Sequence, residues 1–183
     1  DVTFVCPGEK TARAFTKAGR KVYRYHMNHI PTTSLTPKWT KAMHGDDFFF
    51  LFGVPLDPPE NWTFTEEEVR MSIQTIKYWA NLAKTGNPNL SSMDAELTDE
   101  EKETEWPLFT PEELAYKDLS PTMLNGRAIK AEECLMWNEF IPKLIQIAEE
   151  ARKCREASNL WDKETKDGDD GQRTCTEETC PEE

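Results

Sequence analysis

The sequence predicts an α/β fold, because one segment alternates as a β-strand does and several others have the spacing or boundary residues of helices. The strand lies at residues 22–28, where Tyr23, Tyr25 and Met27 share one face. Two further short strands joined by a turn are predicted between residues 114 and 126. Helices are predicted at residues 9–18, 65–85 and 127–153.

Proline and glycine residues indicate where the first helix and the loop after the strand lie. Residues 9–18 follow a Pro-Gly pair and precede Gly19, the usual boundaries of a helix. Residues 30–40 contain two prolines and a run of hydroxyl side chains, which indicate a surface loop. We expect Trp39 to anchor this loop to the core, although it would also serve as a wall of a binding site.

The helix at residues 65–85 has the clearest boundaries in the chain. Thr65 and Glu68 form a capping box, acidic residues in the first turn complement the helix dipole, and Gly86 follows the last residue. Its predicted packing stripe consists of Val69, Ile73, Ile76, Ala80 and Ala83.

The helix at residues 127–153 carries two apolar stripes. One contains Cys134, Trp137, Ile141, Ile145 and Ala148, and the other contains Met136, Phe140, Leu144, Ile147 and Ala151. The stripes either form one broad buried face or leave the second stripe for another surface. Pro142 removes the hydrogen bond to the Asn138 carbonyl, so we predict a kink there.

The net charge of −12 is concentrated in two segments. Residues 91–105 carry −6 and residues 156–183 carry −7, which leaves the rest near neutrality. We interpret this acidity as solvation, and nucleic acid is excluded as an expected partner. The chain starts at Asp1 without an initiator Met, a signal peptide or a transmembrane run, so we interpret it as a C-terminal piece of a longer protein.

His44 is the strongest candidate for a catalytic side chain. It lies on a short turn before an apolar run, and Gly45 after it permits close backbone approach. An imidazole here can accept a hydroxyl proton and return it to a leaving group. Asp46 and Asp47 are predicted to hydrogen-bond the loop, to cap the next helix, or both. A histidine beside an apolar run is also a common core residue, so the wider sequence must decide.

Five motifs occur in a characteristic order. They are M-H-G-D-D-F at 43–48, F-G-V-P-L at 52–56, Y-W-A-N-L-A-K-T-G-N-P-N at 78–89, W-P-L-F at 106–109 and C-L-M-W-N-E-F-I-P-K-L at 134–144. Together they resemble the end of a type-B carboxylesterase or cholinesterase. The resemblance implies the C-terminal portion of an α/β-hydrolase fold over residues 1–155. We expect residues 156–183 to form an acidic tail without ordered structure.

The resemblance implies a serine hydrolase whose triad histidine is His44. His26 and His29 are the rival bases, but Asn28-His29 matches a structural Asn-His of the family. No G-x-S-x-G occurs in the chain, so the nucleophile and the triad acid are expected from sequence outside it. The implied substrate is a small carboxylic ester, and no metal or organic cofactor is implied.

The substrate motifs of the family point away from a choline ester. Cholinesterases have W-P-E-W and H-G-Y-E where this chain has T-P-K-W and H-G-D-D. Thr36 and Asp46 thus replace two aromatic residues that a quaternary-ammonium site would use. The His motif is more similar to that of general carboxylesterases. The alternative is a non-catalytic adhesion or binding protein of the same fold.

The resemblance also implies how the cysteines pair. Cys6 and Cys134 match the family's disulfide, and Cys154 lies near the position of an interchain disulfide. Cys175 and Cys180 would then close a small loop. The second apolar stripe of the last helix is expected to form a homodimer, as in cholinesterases.

Five cysteines and two sequons indicate an oxidising, secretory environment. The sequons begin at Asn61 and Asn89, which are the expected glycosylation sites. We therefore expect a glycoprotein that is secreted or displayed on the extracellular face of the membrane.

Overall fold

The computed structural model describes residues 1–93, 96–98, 101–102 and 104–167. The chain divides into two compact units, Asp1–Cys134 and Leu135–Glu183. Within the described residues, no helix combines the length and the apolar character needed to cross a membrane.

Helix α1 spans Val5–Lys17 and therefore begins four residues before the predicted start. Proline is compatible with the first turn of a helix, whose N–H groups have no intrahelical partner, so Pro7 does not prevent the earlier start. Cys6 in this helix forms a disulfide with Cys134, with the two Cα atoms 4.9 Å apart. This pairing is the one that the resemblance implies, and it closes a loop of 128 residues.

The sheet has three strands in the order β1-β2-β3. Strand β1 (Tyr25–Met27) pairs in parallel with β2 (Ala115–Leu119), which pairs antiparallel with β3 (Asn125–Arg127). β1 is shorter than predicted, because the β2 ladder pairs with only three of its residues. The predicted hairpin between residues 114 and 126 is present as β2 and β3.

Helix α2 spans Asp46–Leu51 and packs on α3, which spans Glu66–Thr85. The capping box of Thr65 and Glu68 is present as predicted. The predicted packing stripe is wrong, because Ile73 on it is 42% exposed. The face that is buried instead consists of Glu68, Met71, Ser72, Thr75 and Tyr78. Ser72 on this face donates its hydroxyl to the Phe50 carbonyl, 2.7 Å away, whereas the buried hydroxyl of Thr75 has no hydrogen-bond partner among the described residues.

The core lies between α2, α3 and the sheet. Its buried cluster consists of Phe50, Met71, Tyr78, Trp106, Leu119 and Met123. Trp106 is fixed within it because its indole N–H donates to the Arg24 carbonyl at 2.8 Å. This bond joins the returning segment after the acidic excursion to the residue just before β1.

The C-terminal helical segment contains α4 (Ala131–Leu135), a π-helical turn (Met136–Phe140) and α5 (Ile141–Asp167). The π-helical turn ends two residues before Pro142, and the kink predicted at Pro142 stays a prediction. The expected unstructured tail from residue 156 instead continues as helix to Asp167, since its Ala, Glu and Lys residues favour helix. Residues 168–183, with Cys175 and Cys180, lie outside the described residues.

Lys117 is a fully buried lysine in the central strand β2. Its ammonium donates to the Met123 carbonyl at 2.9 Å and lies 5.9 Å from the centre of the Tyr78 ring. Burial lowers the pKa of Lys117 from 10.5 to about 8, although Glu105 and Asp118 act in the opposite direction. The charged form is therefore less favourable in the folded protein than in water.

Replacing Lys117 with Met should stabilise the protein at neutral pH. The unfolded chain binds more protons than the folded one between pH 8 and 10.5, so wild-type stability should rise across that interval. The lowered pKa of Lys117 corresponds to about 3 kcal/mol of destabilisation by the buried charge at neutral pH. The Met variant avoids this cost but loses the hydrogen bond to the Met123 carbonyl, which offsets about 1 kcal/mol of the gain. We expect Lys117→Met to gain about 2 kcal/mol at pH 7 and less above pH 10.

Denaturant unfolding at several pH values measures this difference, with Lys10→Met on the exposed face of α1 as the matched control. Destabilisation of Lys117→Met at every pH would show that the buried ammonium is a net stabilising group.

Candidate active site

His44 lies on the turn between a 3₁₀ helix at Lys38–Thr40 and α2. The next residue, Gly45, has φ +96°, a left-handed conformation that other residues adopt only with strain. The imidazole is exposed and stacks on the ring of Phe4, with centroids 4.1 Å apart and planes 14° from parallel. The turn thus presents the ring to solvent on one side and rests it against an aromatic wall on the other.

Two aspartates that follow Gly45 directly hold this turn. Asp46 Oδ2 accepts the backbone N–H of Met43 at 2.7 Å, which closes the turn around His44. Asp47 Oδ2 accepts the hydroxyl of Tyr25 at 2.8 Å, which joins the start of α2 to β1. Of the two predicted roles, Asp46 hydrogen-bonds the loop, Asp47 bonds to Tyr25 of β1 instead, and neither is the N-cap of α2, which is Gly45.

His29 is held as a structural residue. Its Nε2 donates to Glu68 Oε1 at 2.8 Å, and the edge of its ring packs against Phe50. Glu68 also accepts the backbone N–H groups of Thr32 at 2.7 Å and Thr65 at 2.8 Å. Burial acts to raise the pKa of Glu68, but these hydrogen bonds outweigh it and lower the pKa below its ordinary value. A carboxylate so engaged has little capacity left for proton transfer.

His26 is half-buried on β1, opposite Asp118 in the neighbouring strand. Burial lowers its pKa, and Asp118 partly offsets this effect. The ring meets the edge of Tyr116 at 6.1 Å. Of the three histidines, His44 is therefore the one that is exposed and mounted on a fixed turn.

The loop before His44 differs from its prediction. Trp39 was expected to anchor the loop to the core, but 81% of its surface is exposed. The interpretation was wrong because no described segment covers that side of the loop. Thr36 takes part in hydrogen bonds within the loop, where Ser34 Oγ lies 2.8 Å from its hydroxyl.

The two sequons differ in what their asparagine side chains do. Asn61 is exposed at a turn before α3 and makes no side-chain hydrogen bond with a described residue. Asn89 is engaged on both atoms of its amide, because Nδ2 donates to the Trp106 carbonyl at 3.0 Å and Oδ1 accepts the Trp106 N–H at 2.7 Å. This amide holds the returning segment in the core.

The sequence reasoning did not identify Phe4 or Tyr25 as neighbours of the His44 turn. Phe4 lies forty residues from His44 in the sequence, and no local pattern connects them. Tyr25 was assigned to a strand face, but that periodicity does not reveal the loop that its hydroxyl reaches. Both contacts come from tertiary packing.

Comparison with known proteins gives consistent matches. A model of the carboxylesterase family matches residues 1–137. The acetylcholinesterase of Gallus gallus is 35% identical over 146 residues, which are 79% of this chain and 18% of that protein. That of Bungarus fasciatus is 32% identical over 166 residues, 88% of this chain and 26% of the relative. The acetylcholinesterase of Electrophorus electricus is 35% identical over 129 residues, which are 70% of this chain and 19% of that protein. The chain therefore spans about a quarter or less of the length of these relatives.

Proposed function

Because the chain belongs to the carboxylesterase family, we propose that it forms the C-terminal part of a serine carboxylic ester hydrolase, in which His44 is the general base. The observation that carries this proposal is the His44 turn, which presents an exposed imidazole and is held by the hydrogen bonds of Asp46 to Met43 and of Asp47 to Tyr25. His29 is a weaker candidate because its Nε2 is already engaged by a buried carboxylate.

In the proposed reaction, His44 accepts the proton of a serine hydroxyl as that oxygen attacks the ester carbonyl. The imidazolium then protonates the departing alcohol, and the same exchange with water releases the acid. The serine, the triad acid and the oxyanion donors belong to sequence outside this chain. Phe4 limits the tilt of the His44 ring, so the ring needs little reorganisation before it reacts.

Two features support an origin in a larger hydrolase domain. In the described residues β1 pairs with β2 alone, so its other edge is available to a further strand. Large apolar side chains are exposed on the same unit, among them Leu35, Trp39, Met43, Phe48, Phe52 and Ile73. We propose that the rest of the hydrolase domain covers these surfaces.

We further propose that the substrate is an uncharged carboxylic ester. At the position where cholinesterases carry an aromatic ring, Asp46 is 8% exposed and its carboxylate turns back to the Met43 N–H. Thr36, at the second such position, likewise offers no ring face. A quaternary ammonium is recognised mainly by such faces, so its binding has little support here.

Replacing His44 with Ala in the longer protein should abolish ester hydrolysis. Without a base the serine stays protonated, so turnover of a p-nitrophenyl ester and covalent labelling by an organophosphate should both fall by at least about a thousandfold. His26→Ala is the matched control and should retain labelling. The 183-residue chain alone should be inactive.

Loss of activity in His26→Ala but not in His44→Ala would move the base to His26. A longer protein that lacks both turnover and labelling would support the non-catalytic alternative.

Asn61 should carry a glycan in secreted material, whereas Asn89 should not. The amide of Asn89 is occupied by the Trp106 backbone, and its nitrogen reaches the transferase only if that contact opens. Peptide mapping after glycosidase treatment measures occupancy at each site. An occupied Asn89 beside an unmodified Asn61 would contradict the exposure described here.

We propose that the protein is a homodimer joined through the C-terminal helix and Cys154. Of the two alternatives for this helix, one broad buried face has little support, because side chains of both stripes are exposed, including Phe140, Leu144, Ile145 and Ile147. Cys154 is exposed and unpaired in the described residues. Non-reducing electrophoresis should show a dimer that Cys154→Ser converts to monomer, with Cys6 still bonded to Cys134. A bond between Cys154 and a cysteine of its own chain would exclude the covalent dimer.

A further inference from the structure

Tyr25 connects the central part of the fold to the His44 turn through one hydrogen bond. Its hydroxyl donates to Asp47 Oδ2 at 2.8 Å, across 22 residues of sequence. Partial burial, and then the bond to Asp47, raise the pKa of Tyr25 above its ordinary value. The hydroxyl therefore remains a donor throughout the pH range in which an imidazole acts as a base.

The position of this hydroxyl is set by the core. The Tyr25 ring meets Trp79 of α3 edge-on at 5.0 Å and Trp106 at 6.0 Å. Trp106 is itself held by the Arg24 carbonyl, next to Tyr25 in the chain. Edge-to-face contacts on two indoles favour this orientation of the Tyr25 ring, although 41% of the residue's surface is exposed. The hydroxyl is thus a fixed point that both the sheet and α3 define.

The anchored carboxylate lies three residues after His44, with little freedom between them. Gly45 adopts its left-handed conformation, and Asp46, the first residue of α2, binds the Met43 N–H, so the turn is closed before Asp47. A displacement of Asp47 is therefore transmitted to the His44 ring and to its stack on Phe4. Among the described residues, the bond from Tyr25 to Asp47 is the only side-chain hydrogen bond that joins the start of α2 to β1, although Phe50 of α2 also belongs to the core cluster against which Met27 packs.

We propose that Tyr25, acting through Asp47, is a positioning residue that fixes the orientation of the His44 imidazole relative to the sheet. This role rests on the proposed function of His44 as the general base. Tyr25 does not touch the reacting atoms, so its effect is on the fraction of time that the base has the productive geometry. Such an effect lowers kcat and leaves KM nearly unchanged.

The test uses Tyr25→Phe, Asp47→Ala and Asp47→Asn in the longer protein, with active sites counted by organophosphate titration. Tyr25→Phe keeps the ring and its contacts with Trp79 and Trp106 but removes the donor. We expect Tyr25→Phe and Asp47→Ala each to lower kcat by about ten- to a hundredfold at similar KM. The double variant Tyr25→Phe/Asp47→Ala should have a kcat no more than about twofold below that of the slower single variant, because both substitutions remove the same hydrogen bond.

Asp47→Asn separates positioning from charge. Asparagine retains an oxygen that accepts the Tyr25 proton, so this variant should keep most of the activity, with the acidic limb of the pH profile unchanged. If Asp47→Asn instead matches Asp47→Ala and shifts that limb, Asp47 acts by its charge and the proposal is wrong. Tyr116→Phe is the matched control, since its hydroxyl bonds to no other described residue, and it should keep wild-type kcat.

A second measurement does not depend on activity. The His44 ring protons should show the ring-current shift of a stacked Phe4 in the NMR spectrum of the longer protein, and Tyr25→Phe should reduce that shift. Wild-type kcat and an unchanged shift in Tyr25→Phe would overturn the positioning role. Full activity of His44→Ala would instead overturn the proposed function, and the NMR shift would still decide whether Tyr25 orients the ring.

Discussion

The carboxylate of Glu68 is fully buried and accepts hydrogen bonds from three separate parts of the chain. His29 reaches it from the end of β1, the Thr32 N–H from the following loop, and the Thr65 N–H from the start of α3. A buried anion costs several kcal/mol unless donors surround it, so these segments must meet in one arrangement. The strand, the loop and α3 are therefore positioned by a single side chain.

The bond between His29 and Glu68 also distinguishes the structural His29 from the exposed His44. The Nε2 atom of His29 is bound to Glu68, and the same carboxylate also accepts the backbone N–H groups of Thr32 and Thr65. Catalytic exchange of that proton would disturb the capping box of α3 as well as the loop. The His44 ring is exposed and does not hold its own turn, because the neighbouring Asp46 and Asp47 do so.

The exposed apolar surfaces of the unit Asp1–Cys134 are consistent with the proposed origin in a larger domain. The hydrogen-bonded side chains of Glu68 and Ser72 lie on the buried face of α3, while Ile73 and Trp39 lie exposed on surfaces that the described residues do not cover. An exposed tryptophan and an available strand edge carry a free-energy cost, which the larger hydrolase domain that we propose would remove. The family membership of residues 1–137 and the much greater length of the relatives agree with this explanation.

The sequence by itself determined the features that depend on local chemistry. The capping box at Thr65, the glycine after His44 and the hairpin after residue 114 follow from residues close to one another. Tertiary structure alone decided which face of α3 is buried and which groups anchor the His44 turn. Those outcomes depend on partners far apart in sequence, such as Tyr25 with Asp47 and Glu68 with His29, and hydrophobic periodicity cannot foresee a buried polar group that finds its donors only after folding.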